Sequence, residues 1–293
     1  EDPDTSKVER YTYARMDREM KAAASMFASL GVEAGDRVGL HMCNRPEFVE
    51  CFLALAAIGA VVVPIGPAST AAECALVVEE CGIRVLVSEF PEDSGRLEGV
   101  AVVCLDDGSY EAMKADRAGA PPPRPEVRPG DLLEIMYTSG TTSRPKGVMF
   151  THANAMFSGK YVAWELSLSE ADRYLTTMSV THVNLQLSAF MPAVYTGAAL
   201  VLVRRYSASR MWSQVRRHRA TVIQAMAMIV KTLMAQPVAS GERDHSVRAV
   251  HYFLPLPKGT KEAFEERYGV RLLNNYGSSE TLVGVVTDLP DGR

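Results

Sequence analysis

Long apolar runs, paired cysteines and blocks of like charge are all missing from this 293-residue chain. The nearest thing to a membrane span is the uncharged stretch from Cys51 to Ala72. Its dense apolar part covers only Phe52 to Val63 and is broken by Pro64, Gly66 and Pro67. A span needs roughly 20 apolar residues, so this stretch reads as a buried helix running into a buried strand, and no transmembrane segment is expected. Residues 1–10 are strongly charged, so no signal peptide is expected either. The five cysteines, at 43, 51, 74, 81 and 104, contain no C-x-x-C pair. Their spacing suits packed, reduced thiols in a cytoplasmic protein and lacks the pattern of a metal site. The net charge of −4 arises from interspersed signs, which argues against nucleic acid as the main partner. His41, His218, His245 and His251 are too scattered to form a metal set.

What is present is alternation. Met16, Met20, Phe27 and Leu30 fall on one face of a helix that Gly31 stops. Asn44-Arg45-Pro46-Glu47 opens a second helix with a cap, an early proline and a glutamate. Val38 to Met42, Ala60 to Pro64, Val85 to Ser88 and Val100 to Leu105 are short, apolar runs of the kind found in parallel strands covered on both faces. Gly119 to Pro129 is proline-rich and reads as an extended linker. Beyond it, strands at Leu132 to Tyr137, Tyr174 to Met178, Ala199 to Val203, Thr221 to Ala225, Val247 to Leu254 and Arg271 to Asn275 alternate with helical segments. This rhythm predicts an α/β fold with mostly parallel strands, in two sheets because one would be overlong.

The strand Leu132 to Tyr137 runs into Thr138-Ser139-Gly140-Thr141-Thr142-Ser143-Arg144-Pro145-Lys146-Gly147. Glycines let a backbone turn its N–H groups toward an anion. Thr138, Ser139, Thr141 and Thr142 add short hydroxyl donors, and Lys146 supplies a mobile positive charge. Such a loop suits a polyphosphate. It is not a Walker loop, because Lys146 follows proline and precedes glycine. Nor is it a nucleophile elbow, because Tyr137 stands where G-x-S-x-G needs its first glycine.

The loop closely resembles the T-S-G-T-T-G-x-P-K-G motif of the adenylate-forming superfamily, which includes acyl-CoA synthetases, peptide-synthetase adenylation domains and luciferases. Ser143 replaces the usual glycine. A second segment, Asn275-Tyr276-Gly277-Ser278-Ser279-Glu280-Thr281, is similar to the family's Y-G-x-T-E motif, with Ser279 in place of threonine. The resemblance implies that residues 138–143, Lys146 and Asn275 to Ser279 bind ATP. It further implies that Tyr276 stacks on adenine, that Ser279 contacts the α-phosphate region, and that Glu280, with Thr138, holds Mg²⁺. Met178-Ser179-Val180-Thr181-His182 stands in place of M-P-x-x-H, which implies a place for His182 near the acyl carboxylate. Val250 to Leu256 occupies the position of a glycine-rich turn beside adenine, so Tyr252, Phe253 and Leu254 become acyl-site candidates although the glycines are absent. His152 is expected to open a helix.

Thr232 to Pro237 and Gly269 to Leu273, among other segments, look most like the crotonobetaine/carnitine–CoA ligase branch. That implies a small carboxylate with a quaternary ammonium group, for which Tyr161, Trp164, Phe190 and Tyr195 are aromatic candidates. The implied reaction is an ATP-dependent acid–thiol ligation of such an acid, or of a short-to-medium carboxylate, through an acyl-adenylate, with coenzyme A as acceptor. Loading of a carrier protein, or nucleotide binding without full catalysis, are the alternatives. The expected architecture is the family's large N-terminal domain without its small C-terminal one, divided at about 67–170 and 1–66 plus 171–293. The family's ribose-binding aspartate, hinge and adenylation lysine lie beyond Y-G-x-T-E. The sequence runs only thirteen residues past Glu280, so this stretch alone is expected to adenylate slowly.

Overall fold

The computed structural model describes residues 7–91, 97–138 and 146–289, with the backbone alone at 283–285. It divides the chain into two units, residues 1–8 with 154–293 and residues 9–153. Among the described residues each unit carries one six-stranded sheet.

In the unit of residues 9–153 the strands are β1 (Arg37–His41), β2 (Val61–Ile65), β3 (Val85–Ser88), β4 (Ala101–Cys104), β5 (Leu132–Thr138) and β6 (Lys146–Thr151). They lie in the order β4-β3-β1-β2-β5-β6, parallel except for the final pair. Helices α1 (Tyr13–Ser29), α2 (Pro46–Ala57), α3 (Ala71–Cys81) and α4 (Ser109–Asp116) connect or flank them. Local chemistry sets their ends. Thr12 accepts the Arg15 N–H at the start of α1, and Thr70 and Glu73 form a reciprocal capping box on α3. Val61, Val62, Val63 and Leu86 are fully or almost fully buried, as strands with two covered faces require. All five cysteines are free thiols, four of them buried, as their spacing suggested.

The other unit contains β7 (Arg173–Thr176), β8 (Ala199–Leu202), β9 (Val222–Met226), β10 (Ala249–Phe253), β11 (Arg271–Ser278) and β12 (Leu282–Thr287). Their order is β12-β11-β10-β9-β7-β8, again parallel except for one antiparallel edge pair, β11 with β12. Its helices are α5 (His152–Glu165), a composite of α6 (Val183–Leu185), a π-helical turn (Gln186–Phe190) and α7 (Met191–Thr196), then α8 (Met211–His218), α9 (Ala227–Met234) and α10 (Lys258–Tyr268). No helix among the described residues is long and apolar enough to cross a membrane.

The expected α/β architecture with two mostly parallel sheets is present, but the chain divides elsewhere than at residues 66 and 170. The Pro64-Ile65-Gly66-Pro67 punctuation suggested a boundary, whereas β1 and β2 pair side by side through Leu40 and Pro64 and belong with β3 and β5. Two elements were not expected. Strand β6 occupies residues assigned to the loop and its exit, and α4 fills a segment left unassigned.

Helix α5 contains Gly159, where a Cβ would sit 2.9 Å from the Met191 carbonyl oxygen. The glycine lets α5 approach the backbone at the start of α7. In an exposed helix glycine-to-alanine stabilises; here the added methyl overpacks a backbone carbonyl. Gly159→Ala is expected to lower the unfolding free energy by about 1–3 kcal/mol, measured as a lower midpoint in chemical denaturation with an unchanged slope.

Candidate functional site

Strand β5 pairs with β6 so that Tyr137 faces Gly147 and Thr138 faces Lys146. The two ends of the hydroxyl–glycine loop are thereby held side by side as the last rung of an antiparallel ladder. Ser139, Gly140, Thr141, Thr142 and Ser143 lie outside the described residues. A Cβ on Gly147 would come within 2.7 Å of the Ile135 side chain, so glycine permits the close strand approach beside Lys146. Tyr137 anchors the neighbouring rung, its hydroxyl 3.4 Å from Cys81 Sγ. Burial and that contact push the Tyr137 phenol well above its usual value, which keeps it a neutral hydrogen-bonding group. Lys146 is exposed and Thr138 half-buried at the loop end of the ladder.

In the second sheet β7 leads to β8 on one side while β9 lies on the other. Such a reversal opens a crevice at the carboxyl ends of β7 and β9. Thr176, the last residue of β7, donates to Gln224 Oε1 of β9 at 2.5 Å and accepts the Met178 N–H at 3.1 Å. The chain then turns through Ser179, whose hydroxyl accepts the Thr181 N–H at 3.3 Å and meets the Thr181 hydroxyl at 2.8 Å. The family's proline is thus replaced by a residue that closes the turn with its side chain. Gln186 reaches back to the Val180 carbonyl at 2.7 Å and fixes the other side.

His182 caps α6, its Nδ1 accepting the Asn184 N–H at 3.1 Å. That bond leaves the proton of the neutral ring on Nε2, free to donate. The ring keeps solvent access although protein surrounds most of it, as expected of a group lining a cleft, and partial desolvation lowers its pKa. A neutral His182 with an Nε2–H can donate to a carboxylate without neutralising it.

The Tyr276 segment ends β11. Asn275 is 1 % exposed and donates through Nδ2 to Glu165 Oε2 at 2.7 Å, whereas Tyr276 is 62 % exposed. Alternation along the strand sends one side chain inward and the next outward. Tyr276 pairs across the ladder with exposed Val286, and a register shift follows between Tyr276 and Ser278. Ser278 and Thr281 then cap a short turn (Ser279–Thr281) that carries exposed Glu280. Among the acyl-site candidates, Tyr252 and Phe253 are buried in β10, and Leu254 is 53 % exposed just beyond it. Leu254 has φ 73°, the left-handed conformation that favours glycine. The backbone of a glycine turn therefore persists at a leucine. Of the aromatic candidates, Tyr161 and Trp164 stand with Phe157 on α5, their neighbouring ring centroids 5.7 and 6.2 Å apart; Tyr195 is exposed and Phe190 is core. His152 opens α5, as expected.

A family model described as AMP-binding enzyme matches residues 3–293. The chain belongs to the AMP-binding enzyme family. It is 40 % identical to the crotonobetaine/carnitine–CoA ligase of Salmonella paratyphi C (strain RKS4594) and 39 % identical to that of Escherichia coli O1:K1 / APEC, each match covering 98 % of this chain. It spans 58 % of the length of those relatives. Among solved structures, the N-terminal domain of FACL13 from Mycobacterium tuberculosis superposes with a TM-score of 0.90 at 25 % identity, covering 99 % of this chain and 74 % of that one. The anthranilate CoA ligase AuaEII gives 0.90 at 21 % identity, covering 100 % and 58 %. The fold is that of the adenylate-forming N-terminal domain.

Three residues of this family member escaped the sequence reading. Glu165, His251 and Tyr174 form a fully buried polar cluster behind the Tyr276 segment. Their one signal is a charged or ionisable residue inside an otherwise apolar helix end or strand.

Two outcomes follow from this geometry. Leu254→Gly relieves a left-handed leucine and is expected to stabilise by about 0.5–1 kcal/mol after the entropy cost of glycine, read as a raised denaturation midpoint. His182 is expected to titrate below the unperturbed histidine value of about 6.5 by NMR. Because its folded value is lowered, its linked stability is full above that pH and declines as pH falls.

Proposed function

We propose that this chain is the ATP- and acyl-binding part of an acid–thiol ligase, which forms an acyl-adenylate and then a coenzyme A thioester. The observation that carries the reading is the Thr138–Lys146 rung, which holds both ends of a hydroxyl-rich loop together at a sheet edge. Family membership and the 40 % identical ligase relatives support the same chemistry.

In the first half-reaction a carboxylate oxygen attacks the α-phosphorus of ATP in line, and pyrophosphate leaves. Two anions must approach, so positioning and positive electrostatics do most of the work. Lys146 and the loop hydroxyls offset phosphate charge, Tyr276 offers a planar face to adenine, and His182 Nε2–H orients the acyl carboxylate. In the second half-reaction the coenzyme A thiolate displaces AMP from the acyl carbon.

Glu280, one exposed carboxylate among the hydroxyls of Ser278, Ser279 and Thr281, suits a hard cation that keeps waters and shares phosphate oxygens. Mg²⁺ held by Glu280 would supply charge neutralisation on the phosphates.

For the acyl group we favour a small carboxylate with a quaternary ammonium, as the named relatives suggest. The test is ATP–pyrophosphate exchange by the native full-length protein over small carboxylates that include crotonobetaine, carnitine and γ-butyrobetaine. Exchange with one of these, followed by thioester formation on free coenzyme A, supports the ligase reading. Transfer to a carrier protein alone would replace it with carrier loading, and absence of exchange with every acid would sink it. Lys146→Ala is expected to slow exchange about a hundredfold.

A further inference from the structure

We propose that Glu165 is a positioning residue for nucleotide binding, one that aims Tyr276 by tying down the rung beneath it. The inference rests on the reading of Tyr276 as a nucleotide contact.

Strand β11 is paired on both sides only at Asn275. Its pairing with β10 ends at the Phe253–Asn275 rung, and its pairing with β12 begins at Asn275–Thr287. Past Asn275 only β12 remains, and the register shifts between Tyr276 and Ser278. The ladder therefore controls the direction of Tyr276 weakly, at the point where a stacking ring needs to be fixed.

Side chains make up the deficit. Asn275 and its cross-strand partner Thr287 both donate to Glu165, Asn275 Nδ2 to Oε2 at 2.7 Å and the Thr287 hydroxyl to Oε1. His251 of β10 adds Nε2 at 3.4 Å from Oε1, and its Nδ1 lies 2.7 Å from the Tyr174 hydroxyl of β7. Glu165, His251 and Tyr174 are all fully buried. One carboxylate at the end of α5 thus gathers contacts from three strands, and a fourth strand supports it through histidine. A one-residue slip of β11 would turn Asn275 outward and Tyr276 inward, leaving Glu165 without its Asn275 donor in the interior. The buried carboxylate penalises the slipped state and holds the ring outward.

Swapping donor and acceptor separates this role from mere structural support. Asn275→Asp sets two carboxylates against each other, and Glu165→Gln alone keeps an acceptor. The double variant restores a hydrogen bond with its direction reversed. In the native full-length protein, equilibrium binding of Mg²⁺–ATP is measured well below each variant's melting temperature. Asn275→Asp is expected to weaken binding about ten- to a hundredfold, and addition of Glu165→Gln to recover most of that loss. Recovery through a buried residue cannot come from direct nucleotide contact. If Asn275→Asp fails to fold, Thr287→Val, which removes one donor, takes its place with a smaller loss expected.

Unchanged affinity in Asn275→Asp, or in Thr287→Val where it stands in, would overturn the proposal, whatever the melting temperature does. So would a loss in Asn275→Asp that Glu165→Gln leaves unrepaired. Tyr276→Ala serves as the control. If it binds Mg²⁺–ATP like the wild type, the nucleotide reading of Tyr276 has failed; if it binds weakly while Asn275→Asp and Thr287→Val do not, the positioning inference alone has failed.

Discussion

Parallel pairing makes the five parallel strands of each sheet end on the same edge, and the candidate chemistry of this chain follows from that constraint. In the sheet of residues 173–287, the His182 turn follows β7, Leu254 follows β10 and the Tyr276–Glu280 segment closes β11. In the sheet of residues 37–151, the hydroxyl–glycine loop follows β5. Groups far apart in sequence share an edge because helical crossovers return the chain to the opposite edge before each new strand.

The two sheets use the same device at their margins. Each adds one antiparallel strand beside its last parallel one, β6 beside β5 and β12 beside β11. The reversal converts a strand end into a hairpin whose two arms hold each other. Lys146 is therefore set by pairing with Thr138, and Glu280 by the capped turn between β11 and β12. An open loop would leave both charges on long side chains with unrestrained bases.

Much of this was legible in residue types. Valine-rich strands, capped helices and the hydroxyl–glycine loop each announce a local physical need, and the sum points to an α/β fold. The pairing partner of Thr138 was not legible, because Lys-Gly-Val-Met-Phe-Thr has no strict alternation and its lysine looked like part of the loop. The phase of Asn275-Tyr276 was hidden too: a run of polar residues does not reveal which one faces inward. Glu165 and His251 stood out only as isolated polar residues in apolar surroundings. Their meeting depends on a helix end and a strand brought together by the whole sheet, which no short window contains. The division of the chain was misread for a related reason. Proline and glycine near residue 66 mark the end of β2 and the turn into α3, and they separate nothing larger.

The π-helical turn at Gln186–Phe190 sets an angular register. An α-helix advances about 100° per residue, and a π turn accommodates one residue more than an α turn of the same reach. Removing a single residue there would leave the helix continuous but rotate Met191–Thr196 by that angle relative to the segment that starts at His182. Gly159 meets the Met191 carbonyl too closely to admit a different face. The extra residue thus acts as a mechanical offset: it lets one continuous helix satisfy two alignments, the packing against α5 at one end and the crevice at the other.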